Sequence, residues 1–157
     1  MKDSTCAGQE LAMKTILEKI RQRVTEAKPA LLKIPPEAAR TKPGPNRWSK
    51  QEMLGHLVDS AANNHQRIVR GALNLAGDFP PYQQDLWVAT QRYNDADWPG
   101  LVELFSQYNL HLARVIEYLP PEILENPCNI GKDEPVTLRF VIDDYLRHLE
   151  HHLDKLV

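Results

Sequence analysis

The placement of the prolines constrains the fold of this chain more than any other feature of its sequence. Twelve prolines lie in five groups, at 29–45, 80–81, 99, 120–127 and 135. Proline lacks a backbone N–H and clashes with the preceding helical turn, so it is excluded from helix interiors. The long stretches between the groups are nearly free of proline, and they are therefore where long helices can form.

The first two of these stretches repeat apolar residues at spacings of three and four, the period of an amphipathic helix. The first predicted helix runs from about Gln9 to about Lys33, with Pro29 as a place for a kink or a break. The second opens on Ser49, an N-cap that forms a capping box with the glutamate three residues later. It can run to about Ala76 and then ends at Gly77-Asp78.

The second half of the chain predicts two more long helices. A long connection at 79–96 holds a short predicted helix around 84–91. The third long helix starts at Asp97 and stops at 120–121, and the fourth begins near Thr137 and runs almost to the end. The apolar stripe of the third helix is Leu101, Leu104, Phe105, Tyr108, Leu112, Val115 and Leu119.

These four helices predict an all-α fold, a four-helix bundle. No segment alternates convincingly with the period of a strand, and 126–135 is expected to be loop. The long second-to-third connection allows a crossover in place of a simple up-and-down order. With 157 residues, of which 42% are apolar, the chain is expected to form one domain over 1–157.

Charge and composition exclude several classes of function. The net charge is −2 and both signs are spread along the chain, so no basic surface for nucleic acid is expected. The apolar runs are too short to span a membrane. The first residues lack the apolar core of a signal peptide, so we expect a cytoplasmic protein. Cys6 and Cys128 lie in no cysteine motif and are expected to be free thiols.

The last predicted helix carries three of the six histidines within five residues. His148 and His152 are four residues apart, which places both imidazoles on one face of the helix, whereas His151 points away and should face water. Two imidazoles so placed can bind one metal ion, but a metal site needs three or four protein ligands. The sequence offers three candidates for the third ligand and does not choose among them: His56, His65 and His111.

The two histidines of the second helix lie on different faces. His65 falls on the apolar stripe, whereas His56 falls on a polar face together with Asp59, Asn63 and Arg67. That polar face is either bare surface or the lining of a polar pocket. Three aromatic residues of the following connection could cap such a pocket or pack in the core: Tyr82, Trp87 and Tyr93.

Two stretches, 47–60 and 145–152, resemble the DinB/YfiT-like superfamily. The second helix of that family opens with a Trp-Ser cap and carries a histidine seven residues after the serine, as Ser49 and His56 do here. Its last helix carries two histidines four apart, often with a further histidine just before the second, which is the pattern of 145–152. The resemblance extends over essentially the whole chain in helix order.

The resemblance implies a four-helix bundle with a crossover connection, usually in a homodimer. It also implies a divalent metal ion, zinc or nickel before iron or manganese, on His56, His148 and His152. Two carboxylates could support such a site as hydrogen-bond partners of the ligands or as a general base, since Asp144 precedes His148 by one turn and Asp59 shares the face of His56.

The function expected from this site is that of a metal-dependent enzyme acting on a small molecule. A divalent ion on three histidines can activate a water or a thiol. The resemblance implies thiol-S-transferase or hydrolase chemistry, in the first case with a low-molecular-weight thiol as substrate. The alternative is a non-catalytic, dimeric helical bundle that binds a metal or another ligand, since a fold does not determine an activity.

Overall fold

Four long helices make up most of the molecule. The computed structural model describes residues 3–75, 79 and 81–157, and for residues 3–7, 9 and 10 it describes the backbone alone. The long helices are α1 (Asp3–Leu32), α3 (Lys50–Ala72), α5 (Trp98–Glu117) and α6 (Leu138–Leu156). The shorter elements are α2 (Pro36–Arg40), α4 (Gln84–Gln91), the 3₁₀ turns Tyr93–Asp95 and Pro121–Glu125, and the strands β1 (Pro127–Cys128) and β2 (Val136–Thr137).

The four long helices form the predicted bundle, and the way in which they pack shows where the crossovers lie. Helices α1 and α3 each pack against α5 and α6, so α1 and α3 stand diagonally across the bundle. The connections from α1 to α3 and from α5 to α6 therefore join diagonal helices. The long connection from α3 to α5, which the sequence offered for a crossover, instead joins two neighbours.

Local signals in the sequence explain where three of the four long helices begin. Ser49 caps α3 in the predicted capping box, Asp97 caps α5, and Thr137 caps α6. Pro29 lies inside α1 and does not end it, because the helix continues to Leu32. Helix α3 ends at Ala72, earlier than predicted, and the predicted end at Ala76, Gly77 and Asp78 lies outside the described residues.

The buried face of α5 differs from the predicted stripe. Leu104, placed in that stripe, is 51% exposed, whereas Val102 and Asn109 are fully buried. Because α5 packs between α1 and α3, two neighbours determine its buried arc, and an apolar stripe in the sequence does not show how that arc is shared. The prediction for Leu104 was therefore wrong.

The segment between α5 and α6 is more ordered than the predicted loop. Its strands pair antiparallel, with Pro127 opposite Thr137 and Cys128 opposite Val136. Strands of two residues are too short to show an alternating pattern, which is why the sequence did not reveal them. Cys128 is buried as a free thiol, as predicted. None of the described helices is long and apolar enough to cross a membrane.

Candidate metal centre

Three histidines from two packed helices meet inside the bundle. His56 comes from α3, and His148 and His152 come from successive turns of α6. The Nε2 atoms of His56 and His148 are 3.1 Å apart, and one candidate ligand atom from each of the three residues lies within 4.8 Å of the others. These three residues are called the histidine cluster below. Among the described residues, it is the group of histidine, cysteine and carboxylate side chains arranged to hold a metal ion.

The packing of α3 against α6 explains why the histidine on the polar face of α3 is buried. His56 is fully buried, while His148 and His152 are half-buried. The indole of Trp48 lies against the His56 ring with 4.8 Å between centroids and covers it from the start of α3. The polar face of α3 is thus the lining of an interior site and not bare surface.

Burial keeps all three imidazoles of the cluster neutral. Loss of water lowers the pKa of His56 to about 3, and repulsion by His148 and His152 adds to that effect. The pKa of His152 falls to about 4 for the same leading reason. Burial also lowers the pKa of His148, although the charge of Asp144 acts in the opposite direction. Neutral imidazole is the form that binds a metal ion, so the cluster has ligand character at physiological pH.

The hydrogen bonds of the cluster leave room for a cation. The hydroxyl oxygen of Ser60 is 3.1 Å from Nδ1 of His148, so it can accept the proton of that nitrogen and leave the Nε2 lone pair free. Nδ1 of His56 and Nδ1 of His152 are buried without a hydrogen-bond partner among the described residues. The Nε2 atoms of His56 and His148 converge, and converging lone pairs of neutral imidazoles fit a divalent ion.

Asp59 lies one helical turn from His56 and is held from the connection between α3 and α5. Its Oδ1 accepts hydrogen bonds from the Tyr93 hydroxyl at 2.6 Å and from Nε2 of Gln91 at 2.5 Å. Its Oδ2 is buried with no partner in the described part of the chain. Burial raises the pKa of Asp59, while the two hydrogen bonds lower it. The carboxylate is thus fixed in place with one oxygen unused.

A glycine makes this position of Tyr93 possible. Tyr93 packs its ring directly on the backbone of α3 at Gly55, where a Cβ atom would lie 2.2 Å from the ring. Gly55 therefore serves close approach of a neighbour, and the phenol that passes over it reaches Asp59. The other predicted carboxylate, Asp144, is exposed and forms an ion pair with Arg147 at 2.8 Å.

The remaining histidines lie outside the cluster. His65 and His111 form a separate pair between α3 and α5, with ring centroids 5.3 Å apart, and Nδ1 of His65 is 3.3 Å from the Tyr108 hydroxyl. His151 is exposed, and its Nε2 lies 2.7 Å from Nζ of Lys155. Of the three candidates for a third ligand, only His56 meets the pair on α6.

Two neighbours of the cluster were missed in the sequence. Ser60 follows His56 by four residues, so helical spacing alone could have drawn attention to it as a partner of this face. Trp48 gave no such signal, because a tryptophan before a helix most often packs in the core. Of the three connection aromatics, Tyr93 is buried, whereas Tyr82 lies 6.4 Å from His56 between ring centroids and 5.1 Å from Trp87.

Two cavities lie along α3, and His152 of the cluster lines one of them. One of about 930 Å³ is lined by His152 and Trp48 together with Met53 and Lys155. The other, of about 740 Å³, lies between α3 and α4 and has Tyr82 and Gln91 on its wall. Both are within the size range of small-molecule sites. The cluster therefore borders space in which a small molecule could be held.

The fold and the site together define a four-helix bundle protein with a candidate three-histidine metal centre. The chain belongs to the DinB superfamily, whose family model matches residues 16–155. It is also similar to the solved structure of YfiT from Bacillus subtilis, with a TM-score of 0.79 and 18% identity over 92% of this chain and 83% of that one. YfiT is described as a probable metal-dependent hydrolase with an unusual four-helix bundle topology. A comparison with curated proteins found no match.

Proposed function

We propose that His56, His148 and His152 bind one divalent metal ion and that the protein is a metal-dependent enzyme acting on a small molecule. The observation that carries this proposal is the convergence of three neutral imidazoles from two helices, next to a cavity. Membership of the DinB superfamily and the description of YfiT as a probable metal-dependent hydrolase support hydrolysis as the first chemistry to test.

Zinc or nickel is the proposed metal, ahead of iron or manganese. Imidazole nitrogen suits zinc, copper, iron and nickel, while manganese favours carboxylate and water ligands. The candidate ligands are all imidazoles, and Asp59 is engaged by Tyr93 and Gln91. An open position beside three protein ligands is typical of a catalytic zinc site.

The bound ion would supply Lewis acidity, which lowers the pKa of a water or thiol beside it. The chain's own residues would orient and protect the site. Ser60 holds one tautomer of His148, and Trp48 keeps water from one face of His56. Asp59, with one oxygen unused, is proposed to hold a proton during the reaction, and Asp144 to act on His148 through its charge alone.

The experiment separates hydrolysis, thiol transfer and simple binding. Purified protein loaded with zinc or nickel would be assayed for ester hydrolysis, and for conjugation of bacillithiol-like or mycothiol-like thiols to an electrophile. Each assay is repeated after chelation and after adding the metal back. Turnover that disappears and returns with the metal supports an enzyme. Stoichiometric metal binding without turnover in either assay would support the non-catalytic alternative.

Ser60→Ala is expected to weaken metal binding without removing a ligand. The alanine variant loses the acceptor at Nδ1 of His148, and loss of such a partner costs about tenfold to a hundredfold in metal affinity. Competition titration against a chromogenic chelator measures the change. Ser106→Ala, which alters a buried serine of α5, is the control and should bind as the wild type does. Equal metal affinity in the two variants would show that Ser60 does not support the metal ligands.

The stability of the metal-free protein is expected to fall with acidification. In the folded protein, burial lowers the pKa of His56 to about 3 and that of His152 to about 4, from 6.5. Between about 4 and 6.5 the unfolded chain therefore binds more protons than the folded one. The free energy of unfolding therefore rises with pH across this window. The stabilising contribution of the two histidines decreases as the pH falls below 6.5. Urea midpoints measured in steps from about pH 7 to about pH 5 test this. The fall should be smaller in His56→Ala, and an equal fall would contradict the assignment.

A homodimer and a cytoplasmic location belong to this proposal as predictions. Sedimentation analysis of the purified protein tests the first, and localisation of the tagged protein in its host tests the second. A low-molecular-weight thiol as substrate is tested by the transfer assay above.

A further inference from the structure

An arginine without an ion pair lies in the cavity between α3 and α4. Arg67 is half-buried on the same face of α3 as the cluster, beyond Asp59 and Asn63. Of the ion pairs formed among residues 3–75, 79 and 81–157, none includes Arg67. The nearby Asp144 is already paired with Arg147. Burial lowers the pKa of Arg67, while the charges of Tyr82 and Asp144 act in the opposite direction without forming an ion pair with it. A guanidinium stays charged under such a shift, so Arg67 offers a cation to the cavity.

The surroundings of Arg67 suit one negative charge on an apolar body. Arg67 is the only charged side chain among the described residues on the cavity wall, which also carries the amides of Asn63 and Gln91. The opposite wall is apolar and aromatic, with Leu86, Trp87 and Tyr82. One cation, several amides and an aromatic wall match a monoanion better than a phosphate group carrying two charges. The planar fork of arginine matches the two oxygens of a carboxylate.

None of the three cluster histidines lines the cavity, but two residues of its wall interact with the surroundings of the cluster. Gln91 lines the cavity and donates to Asp59, and Tyr82 lines it while facing His56 across 6.4 Å. Ser60, which contacts His148, precedes Arg67 by seven residues, a rise of about 10 Å along the helix axis. A molecule bound to Arg67 through a carboxylate could therefore place its far end near the cluster.

We propose that Arg67 selects the substrate, which is a small carboxylate with a planar or apolar body and its reacting group about 10 Å from the carboxylate. That the bound molecule is a substrate rests on the proposed function. That a carboxylate binds to Arg67 does not depend on it. The carboxylate pairs with the Arg67 guanidinium, the body lies against Trp87 and Tyr82, and the reacting end points toward the histidine cluster.

Calorimetric titration with phenylbutyrate and with the matched alcohol phenylbutanol tests the proposal. The wild type should bind the acid at least tenfold more tightly than the alcohol, because a charge-assisted hydrogen bond is worth about this much. Arg67→Gln should lose that preference and bind the alcohol as before. Arg67→Lys keeps the charge but loses the fork, and should lie between the two. Arg114→Gln, on the exposed side of α5, is the control for total charge and should behave as the wild type does.

Three results would overturn the proposal. They are equal affinity for acid and alcohol in the wild type, an unchanged preference in a folded Arg67→Gln, and binding of phenylbutyl phosphate more than about tenfold tighter than the acid. The titrations are made on metal-free wild type and on His148→Ala. A preference for the acid in both would stand even if the metal site failed. Normal metal binding with no preference for the acid would refute this inference alone.

Discussion

Replacing His148 with alanine is expected to reduce the affinity for zinc or nickel by about a hundredfold or more, since even loss of a partner behind a ligand costs up to about that much. His148 is the residue whose Nε2 faces His56 at 3.1 Å and whose other nitrogen is held by Ser60. Without it, two imidazoles remain, fewer than a stable site needs. Metal content of the purified variant and competition with a chelator measure the loss.

His151, which follows His148 by three residues on α6, provides a matched control. His151→Ala removes an exposed imidazole from α6 and should leave one metal ion per chain with unchanged affinity. His65→Ala, which alters the separate histidine pair on α3, should do the same. If His148→Ala kept full metal content while His65→Ala lost it, the metal would lie between α3 and α5, and the proposed centre would be wrong.

Gly55→Ala is expected to destabilise the protein although alanine favours helix. The added methyl group would meet the Tyr93 ring at 2.2 Å, and this overpacking costs about 1–3 kcal/mol. The gain in helix propensity recovers only about 1 kcal/mol. The ring must shift, and its hydroxyl then leaves Asp59. Urea unfolding followed by circular dichroism measures the free energy of unfolding.

A second variant tests whether Tyr93 is the cause. In a Tyr93→Ala background the clash is absent, so adding Gly55→Ala should stabilise that protein by up to about 1 kcal/mol. Gly8→Ala is the control in α1, where an added Cβ has no neighbour within 4 Å, and it should also stabilise. A Gly55→Ala cost that persists without Tyr93 would show that another contact is responsible.

The helices were largely predictable because their signals are local. Prolines, the capping box at Ser49 and the cap at Asp97 act within a few residues, and the two caps mark the starts of α3 and α5 in the sequence and in the structure alike. The end of α3 at Ala72 was missed, since the residues after it continue the apolar period. The exposure of Leu104 was missed because burial depends on which helices stand beside α5.

Part of the candidate site was likewise predictable from local spacing, and part depended on tertiary packing. The pairing of His148 with His152 and the outward direction of His151 follow from helical spacing, so the sequence by itself determined them. The third ligand of the candidate site did not follow from spacing. The sequence did not distinguish among His56, His65 and His111, and only the family resemblance favoured His56. The tertiary structure brings His56 to the pair on α6, since the diagonal placement of α1 and α3 lays α3 against α6. The same contact buries His56, and burial makes its imidazole neutral and fit to bind a metal.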